Sequence, residues 1–97
     1  LIIEALVTLL PPEAGGRRIP IAPREGSYRP YARLRDARIR LRFIEGPPAI
    51  APGETARVVL ELENAGAMVR AGDEIELLEL SEQSVGLATI SRVWLDS

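Results

Sequence analysis

Apolar and polar side chains alternate along several short stretches of this chain, and a two-residue period predicts strands. From Ile3 to Leu10, the residues Ile3, Ala5, Val7 and Leu9 share one face, and Glu4, Leu6, Thr8 and Leu10 the other. Both faces are largely apolar, so the pattern predicts a first strand covered on both sides. Tyr31 to Ile44 reads as one extended run. Its second half sets Ala37, Ile39, Leu41 and Phe43 against Arg38, Arg40 and Arg42. Ala56 to Glu63 turns Ala56, Val58, Leu60 and Leu62 inward. Glu74 to Leu80 alternates Glu74 and Glu76 with Ile75 and Leu77, and the doublet Leu77-Leu78 breaks the period as a bulge does. Val85 to Leu95 forms the last strand.

The breaks between these runs are proline and glycine corners. Pro11-Pro12 stops the first strand, because proline has no N–H to give to a ladder. A long connection, residues 11–30, follows with five prolines and three glycines; its Ile19, Ile21 and Tyr28 predict that it packs on the body of the fold. Gly46-Pro47-Pro48, Asn64-Ala65-Gly66, Arg70-Ala71-Gly72-Asp73 and Ser81 to Ser84 mark further turns. Pro52-Gly53 suits the centre of a type II turn, with proline presetting φ and glycine supplying a positive one. Arg33 to Arg42 has a helical composition, but its strict alternation opposes a period of 3.6. Short strands with such corners predict an all-β barrel or sandwich, and closure of a barrel removes exposed edges from so small a sheet. At 97 residues the chain reads as a single domain spanning 1–97.

The order of these marks resembles the C-terminal domain (domain 3) of translation elongation factor Tu, from about Ile3 to Trp94. The run Ile3-Glu4-Ala5-Leu6-Val7-Thr8-Leu9-Leu10, then Glu13-Ala14-Gly15-Gly16-Arg17, is similar to that domain's first strand and Gly-Gly-Arg loop. Pro20 stands where the family has a proline soon after the loop. Tyr28-Arg29-Pro30 resembles a Tyr-Arg-Pro motif, Ala51-Pro52-Gly53-Glu54 a Met-Pro-Gly-Asp turn, and Ala67-Met68 and Val85-Gly86 further landmarks. The resemblance implies a six-stranded antiparallel Greek-key-type closed barrel that packs on neighbouring domains. It also implies contact with aminoacyl-tRNA and with an exchange factor. Arg18 replaces a family histidine, Tyr31 a glutamine, and Ala88 the second glycine of the closing strand; residues Arg24-Glu25-Gly26 are additional. There is no GxxxxGK[ST] phosphate loop, so this domain by itself is expected to bind no nucleotide.

Composition narrows the chemistry. There is no cysteine and no histidine, which excludes disulfides and thiolate metal sites together with the commonest general base. All twelve cations are arginine, so no lysine can form a Schiff base or hold a phosphate loop. Serines 27, 81, 84, 91 and 97 thus have no histidine or lysine to activate them. Glu61/Glu63 and Glu74/Glu76 lie two apart on one strand face and read as solvated acids. Trp94 and Phe43 read as core. No run approaches the ~18 apolar residues of a membrane span, and Leu1-Ile2-Ile3 lacks the basic leader of a signal peptide. The expectation is a cytoplasmic chain, cut from something longer or missing its first residues, with no membrane association, no cofactor, no metal and no enzymatic activity.

Charge is divided along the chain. Residues 1–44 carry nine arginines against Glu4, Glu13, Glu25 and Asp36, a balance of +5, and residues 45–97 a balance of −7. The two halves either pair within the fold or leave one basic face. Two functions follow as expectations. The first is a non-catalytic module that docks on a partner protein or domain, or on itself, in a translation-related setting. The alternative is binding of tRNA or another RNA backbone through Arg17, Arg18, Arg29, Tyr31 and the Arg38, Arg40, Arg42 stripe, with Gly15 to Arg18 as a possible anion-binding nest.

Overall fold

A computed structural model describes residues 1–25, 28–63, 69–79 and 83–94. Its strands are β1 (Ile2–Leu9), β2 (Tyr31–Leu34), β3 (Ala37–Glu45), β4 (Thr55–Leu62), β5 (Glu74–Leu78) and β6 (Ser84–Trp94). All neighbours are antiparallel, and the order β1-β4-β3-β2-β5-β6 closes into a barrel as β6 pairs back onto β1. Strands β2, β3 and β4 are successive neighbours and β1 lies beside β4, which is a Greek key.

The two-residue period fills the interior. Ile3, Ala5, Val7 and Leu9 of β1 meet Ile39, Leu41 and Phe43 of β3, Val58, Leu60 and Leu62 of β4, and Ile75, Leu77, Ala88 and Ile90 of β5 and β6 in one buried cluster. The extra methyl of Ala88 thus sits in the core.

Two expectations need correction. The run Tyr31 to Ile44 is not one strand: it folds back at Arg35-Asp36 into the β2–β3 hairpin, with Tyr31 opposite Arg40 and Leu34 opposite Ala37. Arg35 makes the corner with a φ of +54°, a left-handed value that arginine rarely adopts. This hairpin supplies the sixth strand. β1 is also not covered twice, since Leu6 and Thr8 on its outer face are exposed. A closed barrel covers only the inside of each strand, and among the described residues no second layer lies over this one.

The break at Leu77-Leu78 is real. The β5–β6 register shifts there, the unpaired residue being Val85 of β6. At Pro52-Gly53, Gly53 has a φ of +88° and the Glu54 N–H donates to the Ala51 carbonyl at 3.0 Å. The breaks at Asn64 to Gly66 and Ser81-Glu82, the Ala67-Met68 landmark, and Leu80 and Leu95 at the ends of the last two strands lie outside the described residues.

The long connection caps one end of the barrel. Its N–H and C=O groups at Ile21 exchange bonds with Ile50 at 3.0 and 2.9 Å, and both side chains are buried. A 3-10 turn, Pro23–Glu25, packs on β3, where the Arg24 Nε donates to the Gly46 carbonyl at 2.8 Å. Tyr28 packs against the core, 6.0 Å from Phe43 between ring centroids. Ile19, in contrast, is exposed.

Candidate binding surfaces

The outer face of the β2–β3 hairpin carries Tyr31 and three of the arginines singled out in the sequence. Arg38, Arg40 and Arg42 all point outward, as the alternation predicts. Tyr31 sits directly across from Arg40, and its ring is the centre of the group: the Arg38 guanidinium lies 4.9 Å from the centroid and that of Arg40 5.9 Å. These are cation–π distances. Arg29, just before β2, lines a cleft of about 210 Å³ with Tyr31, Arg40 and Glu63. Arg29, Tyr31, Arg38, Arg40 and Arg42 therefore form one surface.

Arg17 stands apart from it. Its guanidinium lies 4.9 Å from the Tyr28 ring centre and pairs with Glu79, while its Nε donates to the Ile19 carbonyl at 3.2 Å. Its side chain is only 18% exposed, so it ties the capping connection to the end of β5 and offers little to a ligand. The Tyr28 hydroxyl is buried beside this pair and makes no hydrogen bond among the described residues. Burial first, and then the Glu79 charge, raise the Tyr28 pKa far above its ordinary value, against the opposing pull of Arg17. Arg18 is exposed. Gly15 of the proposed nest closes the 3-10 turn Pro12–Ala14 and accepts a bond from the Gln83 side chain.

The charge division is largely resolved by pairing across strands. Arg17 meets Glu79, Arg33 meets Glu76, Arg35 meets Asp73 at 4.0 Å, and Arg42 meets Glu61 at 2.7 Å. In each, an arginine of the first half faces an acid of the second. The Ser84 hydroxyl and then Arg33 hold the Glu76 carboxyl below the usual carboxylate range. Glu61 and Glu76 are thus partners of arginine. Among the described residues no three His, Cys, Asp or Glu side chains gather as a metal site.

Opposite the hairpin, the outside of β1 and β6 exposes large apolar side chains among polar ones. Leu6 is 49% exposed and Leu87 38%. Leu6 faces Thr89 in register and Thr8 faces Leu87, so the two leucines are diagonal neighbours. Thr8 shares a 2.7 Å hydrogen bond with Thr55 of β4. Trp94 is not core: it is 39% exposed, opposite Ile2, with the Arg92 guanidinium 5.2 Å from its ring. It lies near the end of the sheet, where no layer among the described residues covers it. Phe43 is buried as expected.

Sequence reasoning did not mark Ile44 or Arg24. Ile44 shares the outward face with Arg42, and the register slip between Phe43 and Glu45 leaves it unpaired. It borders two clefts. One, about 330 Å³, is lined by Pro23, Arg24, Arg29, Arg42 and Phe43; the other, about 480 Å³, by Arg24, Glu45, Arg57 and Glu4 among others. Nothing in the strict alternation of Ala37 to Phe43 announces the slip.

No protein-family model matches this chain, and no curated protein matches it. Among the described residues, no helix is long and apolar enough to cross a membrane.

Proposed function

We propose that this chain is a non-catalytic binding module that docks on a partner protein or domain through the outer face of β1 and β6. The observation that carries this reading is the pair Leu6 and Leu87, large apolar side chains exposed side by side on neighbouring strands. Clustered exposed apolar groups mark interaction surfaces, whereas single ones are ordinary. Trp94 and Ile2 are paired further along the same two strands, beyond the charged pair Glu4 and Arg92. The shared order of motifs supports kinship with the C-terminal barrel of elongation factor Tu, and with it a translation-related partner in the cytoplasm. A second copy of the chain is one form the partner takes.

The test is a sedimentation and pull-down comparison of the wild-type chain with Leu6→Asp/Leu87→Asp. Both positions are exposed, so the barrel is retained, as circular dichroism checks. The expected result is a defined protein complex or dimer for the wild type that the double substitution abolishes. A strict monomer that retains no protein, or a complex indifferent to the double substitution, overturns the reading.

A second reading is favoured by Tyr31 with Arg38 and Arg40 over its ring beside the Arg29 cleft. Such a group stacks on a base and grips phosphate. It predicts affinity for bulk tRNA that falls steeply with salt. The internal pairing of Arg17 and Arg42 ranks it below protein docking.

A further inference from the structure

The geometry points to a peptide-binding trough along the outside of β3, which takes an extended acidic segment of a partner protein bearing at least one apolar side chain. Three clefts share walls there. The first and second have Arg29 in common, and the second and third have Arg24 and Ile44 in common, so they join end to end. In order, the arginines along the trough are Arg40, Arg29, Arg42, Arg24 and Arg57. The residues concerned run from Arg40 of β3 to Gly46 just beyond it. At about 3.3 Å per residue this is roughly 20 Å, the length of a six-residue extended peptide.

The site is built by two independent features. The alternation that turns Arg38, Arg40 and Arg42 outward also turns Ile44 out, and the slip between Phe43 and Glu45 leaves it without a β4 partner at the junction of two clefts, where it is 40% exposed. The 3-10 turn Pro23–Glu25 is seated on β3 and clamped by the Arg24 Nε bond to the Gly46 carbonyl. That bond uses Nε and leaves both terminal nitrogens of Arg24 without a protein partner among the described residues. A Cβ on Gly46 would lie 3.1 Å from the Pro23 Cβ and 3.2 Å from Val58, so the turn sits close against this glycine.

The charge pattern favours a peptide over RNA. The middle of the trough is basic and apolar, with Arg24, Arg29 and Arg42 around Pro23, Phe43 and Ile44. Its ends carry both signs, with Arg40 beside Glu63 at one and Arg57 beside Glu4 and Glu45 at the other, where Arg57 and Glu4 pair at 3.8 Å. A phosphate backbone carries the same charge at every step and meets these carboxylates as well as the arginines. A peptide can place carboxylates in the middle and an apolar side chain on Ile44. Arginine pairs with carboxylate through two parallel bonds, which gives such a groove orientation as well as attraction. This inference goes beyond the docking reading above and is independent of it: the trough follows β3 and crosses β4 to Glu4 of β1, and it uses neither Leu6 nor Leu87.

The experiment is fluorescence anisotropy with a labelled ten-residue peptide of alternating glutamate and leucine. A lysine–leucine peptide, an all-glutamate peptide and a single-stranded oligoribonucleotide serve as comparisons. The expected result is saturable, salt-sensitive binding of the glutamate–leucine peptide, at least tenfold tighter than the lysine–leucine one. Ile44→Ser and the double substitution Arg24→Gln/Arg29→Gln each weaken it about tenfold or more, while Leu87→Asp leaves it unchanged. Melting curves confirm that each variant is folded. Absence of peptide binding, binding indifferent to the trough substitutions, or tighter binding of the oligoribonucleotide overturns the trough. Loss of binding in Leu87→Asp alone overturns it too, since the peptide then sits on the other face. The sedimentation comparison above stands or falls separately.

Discussion

Ile21 and Ile50, far apart in sequence, exchange both backbone hydrogen bonds while their side chains are buried in the barrel's core. This one bridge turns a proline-rich connection into the cap of the barrel. Truncating a buried isoleucine removes its transfer free energy and leaves a cavity. Ile21→Ala is expected to cost about 2–5 kcal/mol. Denaturant unfolding reads it as a lower midpoint, whereas Ile19→Ala, at an exposed position, changes stability by less than about 0.5 kcal/mol.

Arg17 and Arg18 are neighbours with different tasks. Arg17 pairs with Glu79 and covers Tyr28, and Arg18 is exposed. Arg17→Ala leaves a partly buried carboxylate without its cation and is expected to lower stability by roughly 1–3 kcal/mol. Arg18→Ala is expected to stay within about 0.5 kcal/mol. Chemical denaturation of the two variants side by side checks the contrast.

The pH dependence follows from two side chains. Glu76 has a depressed folded pKa, so its contribution is present above the ordinary carboxylate range and is lost as pH falls through the folded value. It is surface-exposed in part, so the loss is small. Tyr28 has a raised folded pKa, so its contribution is intact below the ordinary phenol pKa of 10.0 and declines as pH rises above it. Thermal melts are expected to show a fall above pH 10 that Tyr28→Phe removes, and an acid-side fall that Glu76→Gln diminishes.

Gly86 lies where β6 crosses close to β1. A Cβ there would stand 2.8 Å from the Thr8 carbonyl oxygen, a backbone atom that cannot swing aside. Gly86→Ala is expected to destabilise by about 1–3 kcal/mol through overpacking. A melting temperature equal to the wild type's contradicts this account of the contact.

Much of the barrel is legible in the sequence because burial in a closed sheet follows every second residue. The inward set of β4, the outward arginines of β3 and the slip at Leu77-Leu78 all come from that period. The hairpin corner does not, because Arg35 takes a left-handed conformation without glycine or asparagine to announce it. The exposure of Leu6 and Trp94 escaped for another reason: apolar residues on an outer strand face signal cover, and the closed barrel provides none. The stripe at Arg38, Arg40 and Arg42 was visible, and so was Tyr31 near it. The grouping of Arg29 with them, the withdrawal of Arg17 into an ion pair, and the slip that leaves Ile44 unpaired depend on tertiary contacts and register, which the spacing of residues does not encode.

The claim that the apolar strip on β1 and β6 is a docking face is tested most directly by site-specific photocrosslinking. The chain has no cysteine, so a single introduced one can carry the probe without a competing thiol. Leu87→Cys and Arg40→Cys, on strands across the barrel from each other, are labelled and irradiated in extract of the cells that make the protein. The account predicts a discrete protein adduct, to a partner or a second copy, from position 87. An adduct to RNA from position 40 with none to protein from position 87 contradicts it.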